Sequence, residues 1–183
     1  MRQAKSKILS RKAMMATRRR LRAAGKKLVF TNGAFDLLHA GHVTYLEFAR
    51  RQGDALVVGL NSDASVRRYK GDRRPVNRQS DRARVLAALE CVDYVVMFGE
   101  DEPARLIAEL KPDVLVKGAD WAHYVSGRDL VEKAGGRVVL APLVKGRSTS
   151  GMIEKIMNSC RSPSPSRSPS PSRPPSPSAT KSP

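Results

Sequence analysis

Two of the three histidines in this 183-residue chain, His39 and His42, stand three positions apart at the end of the stretch TNGAFDLLHAGH (31–42). One buried, satisfied core histidine would need no explanation. A pair spaced by Ala40-Gly41 and preceded by Asn32-Gly33 and Asp36 needs one. Residues three apart share a helix face, so both imidazoles can reach a single ligand from the helix's amino end. That end presents unpaired N–H groups and a partial positive charge, which suits a phosphate. Two imidazole N–H donors would add hydrogen bonds to charge that develops at phosphorus during group transfer. Gly41 would let such a ligand approach the backbone closely. Zinc is the lesser alternative: Asp36 could supply a third ligand, but two histidines without a close third make a poor catalytic set. No metal ligands are assigned.

The elements that must position this pair follow from the apolar pattern. LVFT (28–31), ALVVGL (55–60), YVVMF (94–98), VLVKG (114–118) and RVVLA (137–141) read as strands. Amphipathic stretches near 42–52, 63–69, 79–90, 102–110, 127–134 and 149–158 read as helices. Continuous apolar strands alternating with helices predict an α/β fold, a Rossmann-like open parallel sheet of about five strands covered on both faces. Ligands of such sheets bind beyond the carboxyl ends of the strands. The segments to question are therefore 32–42, 61–63, 99–101, 117–121 and 142–149.

Charge divides the chain into three. The formal net charge of +17 is carried by the ends: residues 1–27 hold eleven Lys or Arg and residues 160–183 hold four, with no acid in either. The body, 28–159, has nineteen bases against seventeen acids, so it lacks the strongly basic face of a nucleic-acid-binding domain. Met14, Thr17, Leu21 and Ala24 fall on one face of a basic amino-terminal helix that Gly25 would end. Docking on the domain is the first reading of that helix and an organelle transit peptide the second. The Ser/Pro/Arg tail holds eight of the twelve prolines and cannot bury enough apolar surface to order itself. Cys91 and Cys160 have no metal-binding spacing, and Cys91 reads as a buried thiol of a reducing compartment. No stretch is long and apolar enough to cross a membrane, and a cytoplasmic location is expected.

TNGAFDLLHAGHVTYL resembles the HxGH signature of the cytidylyltransferase-like nucleotidyltransferases. GLNSDASVRRYKGDRRPVN (59–77), DRARVLAALECVDYVVMFGEDEP (81–103), PDVLVKGADW (112–121) and GGRVVLAPLVKGRSTSGMIEKI (135–156) narrow the resemblance to the heptose 1-phosphate adenylyltransferases, which stand alone or form the carboxyl half of a kinase fusion. The resemblance runs from about Lys27 to Ile156. It departs at Ala119, where the family has a second glycine, and at Ser150, where it has threonine.

The resemblance implies that the phosphate of D-glycero-β-D-manno-heptose 1-phosphate attacks the α-phosphorus of ATP in line. ADP-heptose and pyrophosphate are the products, Mg²⁺ accompanies ATP, and the enzyme is a homodimer. It casts His39, His42 and Lys70 as catalytic. Thr31, Asn32, Gly33, Phe35, Gly41, Lys117, Gly118, Arg147, Ser148 and Thr149 fall to the nucleotide, and Asp36, Asn61, Asp63, Arg73, Arg74 and Asp120 to the sugar phosphate. Several have a plainer reading beside this one. The YKGDRRPVN loop is either a phosphate-closing lid or a solvated charge run. Ser148-Thr149 caps the last helix whether or not phosphate binds there. Lys117 either pairs with the sugar phosphate or is an ordinary strand-edge lysine. Asp63 is either a ligand or only a helix cap, and Asp36 either orients the histidine loop or holds water on Mg²⁺. The competing functions are a related HxGH transferase of the glycerol 3-phosphate cytidylyltransferase or FAD synthetase type, and a non-catalytic nucleotide- or nucleic-acid-binding protein.

Overall fold

A computed structural model describes residues 3–143 and 146–161; the Ser/Pro/Arg tail expected to be disordered lies outside these residues from 162 onward. Five strands, β1 (Leu28–Gly33), β2 (Ala55–Asn61), β3 (Tyr94–Phe98), β4 (Val114–Gly118) and β5 (Arg137–Ala141), form one sheet in the order β3-β2-β1-β4-β5. Every pairing is parallel. The helices between them are α2 (Ala40–Arg50), α3 (Asp63–Lys70), α4 (Gln79–Ala88), α5 (Ala104–Leu110) and α6 (Arg128–Lys133), with α1 (Arg11–Ala23) before the sheet and α7 (Thr149–Arg161) after it.

The central strands read as unbroken apolar runs because both of their faces are covered, while the edge strands β3 and β5 leave Met97 and Leu140 partly exposed. On one face Val29, Leu56, Val58, Leu60 and Val95 pack against Leu46 and Ala49 of α2 and Ala83, Leu86 and Ala87 of α4. On the other, Leu28, Phe30, Val57, Val96 and Phe98 pack against Met14 of α1, Leu106, Ile107 and Leu110 of α5, and Val131 of α6. Strand order reverses direction between β1 and β4. Their register ends at Phe30↔Leu115, so the two carboxyl ends diverge and leave a crevice at the switch point.

The basic amino-terminal segment is packed on this domain. Ser10 caps α1 by accepting from the Ala13 N–H, and Gly25 ends it with φ +67. Met14 is fully buried. Arg18 is buried and donates to the carbonyls of Leu110 (3.1 Å) and Lys111 (2.7 Å) while pairing with Asp113 (2.9 Å). Further out, Ile8 forms a parallel bridge with Val95, and Lys7 Nζ donates to the carbonyls of Leu89 and Val92. Ala24, expected on the apolar face, is exposed at the helix end.

Candidate active site

The crevice beyond β1 and β4 is a cleft of about 600 Å³. His39 is the N-cap residue of α2, in extended backbone, and makes no side-chain capping bond; His42 is the third residue of the helix. Their rings stack with centroids 3.9 Å apart, and Phe35 packs on His42 at 5.4 Å. Phe35 adopts φ +44, a left-handed conformation that an aromatic residue holds only where its surroundings over-determine it. A Cβ on Gly41 would lie 3.0 Å from both His39 Nδ1 and Arg147 Cβ, so the glycine makes room for protein groups that line the cleft.

Burial, then the neighbouring charges of His39 and Lys70, push the His42 pKa down to about 4. Burial and Arg147 lower that of His39. Both rings are therefore held neutral at pH 7. Four polar atoms of cleft residues are buried without a hydrogen-bond partner: Nδ1 of His39, Nδ1 of His42, Oδ1 of Asn32 and Nη2 of Arg74. Buried polar groups are nearly always partnered, so this convergence marks the place of a polar ligand.

Three loops bring up the remaining groups. Asp36, 4% exposed, accepts from Arg74 Nε (2.7 Å) and from the backbone N–H groups of Val76 (2.8 Å) and Asn77 (2.9 Å), while Asn77 Nδ2 donates to its carbonyl. Its carboxylate thus clasps the histidine loop to the 71–78 loop. Burial favours protonation of this carboxyl, but the donors from Asn77, Val76 and Arg74 prevail and hold its pKa below the usual value. Lys70, at the end of α3, lines the cleft and has its pKa lowered by burial and by Arg74, with Asp36 opposing. At α7, Ser148 Oγ accepts from the Gly151 N–H (3.1 Å), an N-cap, and Thr149 Oγ1 reaches the Leu37 carbonyl (3.4 Å) to tie this helix to the histidine loop. Arg147, Ser148 and Thr149 all line the cleft.

Asp36→Asn should loosen this clasp: it removes the charge facing Arg74 and sets an amide N–H₂ against backbone donors. We expect a loss of about 1–3 kcal/mol in stability, read by denaturant unfolding. The pH dependence has a fixed sign. The native carboxyl stays ionised below 3.8, so its contribution is present above the unfolded pKa and is lost as pH falls through the lower folded value.

Most of the residues expected at the site from sequence line one cleft: Asn32, Gly33, Phe35, Asp36, His39, Gly41, His42, Asn61, Lys70, Arg74, Lys117, Gly118, Asp120, Arg147, Ser148 and Thr149. Thr31 lies beneath it, its Oγ1 2.6 Å from the Tyr45 hydroxyl. Asp63 pairs with buried Arg82 at 2.7 Å. Arg73 is exposed and outside the lining. Sequence reasoning passed over Tyr45, whose hydroxyl also donates to the Val116 carbonyl (3.0 Å) and so spans the gap between β1 and β4. It also missed Arg82 and the Glu102–Tyr124–Ser126 group. A tyrosine three residues after His42 was a readable signal for the first; the others depend on long-range pairing.

A parallel sheet with donor-rich loops converging on its switch point defines a nucleotide-handling α/β domain. The chain belongs to the cytidylyltransferase-like family, whose model matches residues 30–160. It is 60% identical over 139 residues to the bifunctional protein HldE of Geobacter metallireducens, covering 75% of this chain and 28% of that protein. To HldE of Trichlorobacter lovleyi it is 55% identical over 153 residues, 83% of this chain and 31% of that protein. The chain therefore spans under a third of the length of these curated relatives. Among solved structures, the lipopolysaccharide core biosynthesis protein from Thermoplasma volcanium superposes with TM-score 0.55 at 29% identity, over 67% of this chain and all of that one. Pantothenate synthetase from Thermus thermophilus shares the fold at TM-score 0.51 and 20% identity, over 75% of this chain and 62% of that one.

Proposed function

We propose that this chain transfers AMP from ATP to D-glycero-β-D-manno-heptose 1-phosphate, releasing pyrophosphate and forming ADP-heptose. The observation that carries the reading is the set of unpartnered buried atoms on Asn32, His39, His42 and Arg74 around one crevice. The sequence resemblance and the identity to HldE proteins supply the substrate.

A phosphate monoester is already ionised near neutral pH, so in-line attack needs no general base, only positioning and charge neutralisation. His39 and His42, both neutral, donate to the transferring phosphoryl group. Lys70, Arg74 and Arg147 neutralise the triphosphate, and the α7 amino terminus offers its unpaired N–H groups. Gly118 and Leu143 both line the cleft, and the glycine leaves room for the Asp120 carboxylate, which a Cβ there would meet.

Among the described residues no three His, Cys, Asp or Glu are gathered as a metal cage. Mg²⁺ binds through substrate phosphates and one or two carboxylates, and the cleft carboxylate Asp120 fits that need. Bound there, the ion would neutralise charge on the departing pyrophosphate. Among the described residues no helix is long and apolar enough to cross a membrane, and the proposed setting is the cytoplasm, with the protein a homodimer.

Pyrophosphate release with heptose 1-phosphate, Mg²⁺ and either ATP or CTP tests the reading. Turnover with ATP and not CTP is expected. Turnover with CTP, or only with another phosphate acceptor, would keep the transfer chemistry and discard this donor or acceptor.

A further inference from the structure

The cleft has two walls of opposite character. On one, cations and imidazoles predominate: Arg147 acts on His39, Lys70 on His42 and Arg74 on Lys70, while the one carboxylate that acts there, Asp36, is already paired with Arg74. On the other stands Lys117, whose pKa burial lowers to about 8 while the nearby carboxylates of Asp120 and Glu102 oppose the shift. Its Nζ lies 5.5 Å from the centre of the Trp121 ring. Glu102, ahead of α5, accepts from the Tyr124 hydroxyl at 2.9 and 3.0 Å and from Ser126 Oγ at 2.8 Å. Trp121 and Tyr124 are half exposed, at 50% and 51%, and both line the cleft with Glu102 and Ser126.

The plain role of the Glu102 bonds is to fasten the loop after β4 to the start of α5. That role leaves two features unexplained: a pair of exposed aromatic rings facing a polar cleft, and a carboxylate presented there with acceptor capacity beyond its two donors. A bare triphosphate does not suit the Glu102 side of this wall, since that carboxylate repels it. A polyhydroxylated, uncharged group does. Its hydroxyls need acceptors, and hydrogen bonds to a carboxylate are the strong kind. Its C–H faces need broad surfaces that lose little entropy on binding, which aromatic rings supply.

We infer that the Glu102–Trp121–Tyr124 wall seats the sugar of the acceptor, with Glu102 accepting from its hydroxyls and Lys117 receiving the 1-phosphate that leads into the histidine wall. Glu102 is then a specificity-determining residue: it distinguishes a sugar phosphate from a bare phosphate anion. The inference rests on the adenylyl-transfer reading, and direct binding separates the two. Titrate heptose 1-phosphate and inorganic phosphate into the full chain and into Glu102→Gln and Tyr124→Phe, and measure KM for both substrates in these variants and in Arg147→Ala.

Loss of one charge-assisted hydrogen bond should weaken heptose 1-phosphate binding, and raise its KM, by about ten- to a hundredfold in Glu102→Gln. Tyr124→Phe, which leaves the carboxylate less well oriented, should have a smaller effect of the same sign. Inorganic phosphate binding and the KM for ATP should be unchanged in both, while Arg147→Ala should raise the KM for ATP. Equal affinity of wild type and Glu102→Gln for the sugar phosphate, an equal loss for both anions, or a raised KM for ATP alone would overturn the sugar seat. So would failure of the wild type to bind the sugar phosphate. Differential binding without any turnover would support the seat and overturn the reaction.

Discussion

His42→Ala should lower kcat by about a hundredfold or more while leaving the unfolding transition in place. The imidazole stacks on His39, rests on Phe35 and carries a buried nitrogen with no protein partner. In the proposed transfer its removal costs a donor to the reacting phosphoryl group, and deleting one such donor typically costs two to three orders of magnitude. The half-buried ring fills less of the core than an aliphatic side chain would, so the fold should survive. The proposed reaction needs a donor and not a base, so a neutral ring would suffice. With its pKa pushed down to about 4, His42 should keep the chemical shifts of a neutral imidazole down to about pH 5 in an NMR titration. Its linkage to stability has the corresponding sign. Between 6.5 and about 4 the unfolded chain takes a proton that the folded ring refuses, so this group's contribution is present above 6.5 and is lost as pH falls through that window. Near-normal turnover in His42→Ala would remove the donor role. Titration near 6.5 would remove the neutral-ring account.

Some parts of this arrangement were legible in the sequence and others were not, for physical reasons. The five strands were readable within two residues at either end, because parallel strands buried on both faces must be apolar throughout. The α2 start was expected near His42 and lies at Ala40; with a histidine N-cap and a glycine in the first turn, it carries none of the usual cap signals. The histidine pair was legible because two uncommon residues share a turn. Asp63, by contrast, precedes a helix and looks the same in sequence whether it caps, binds a ligand or pairs with an arginine; the pairing partner lies 19 residues on. The Glu102–Tyr124 bond joins residues 22 apart on different elements. Neither side chain has a local pattern that announces it. Arg18 and Arg82 reverse the prior for their type: charged residues on amphipathic helices are usually solvated, and these two are buried because carbonyls at the strand and helix ends need donors.

Arg82 is where that reversal has its largest consequence. It lies on α4, its side chain 0% exposed, and its guanidinium serves four acceptors at once. Nε donates to the Asn77 carbonyl (3.0 Å), Nη1 to the Ala34 carbonyl, and Nη2 to the Asn61 carbonyl (2.9 Å) and to Asp63 Oδ1 (2.7 Å). These acceptors belong to the loop after β1, the end of β2, the 71–78 loop and the start of α3, which together carry Phe35, Asp36, Lys70 and Arg74 into the cleft. Arg82→Met should keep the volume while leaving Asp63 and three carbonyls without their donor. Removing one partner of a buried pair costs about 3–5 kcal/mol, and the denaturation midpoint should fall accordingly. Arg82→Lys should recover little of this, because a single ammonium cannot span the directions a planar fork reaches. In the residual folded protein the KM for ATP should rise, since the groups proposed to meet the phosphates lose their common anchor. A stability within about 1 kcal/mol of wild type for Arg82→Met, or full rescue by lysine, would mean that the strand ends hold their loops without this guanidinium, and that the buried charge is not what sets the geometry of the cleft.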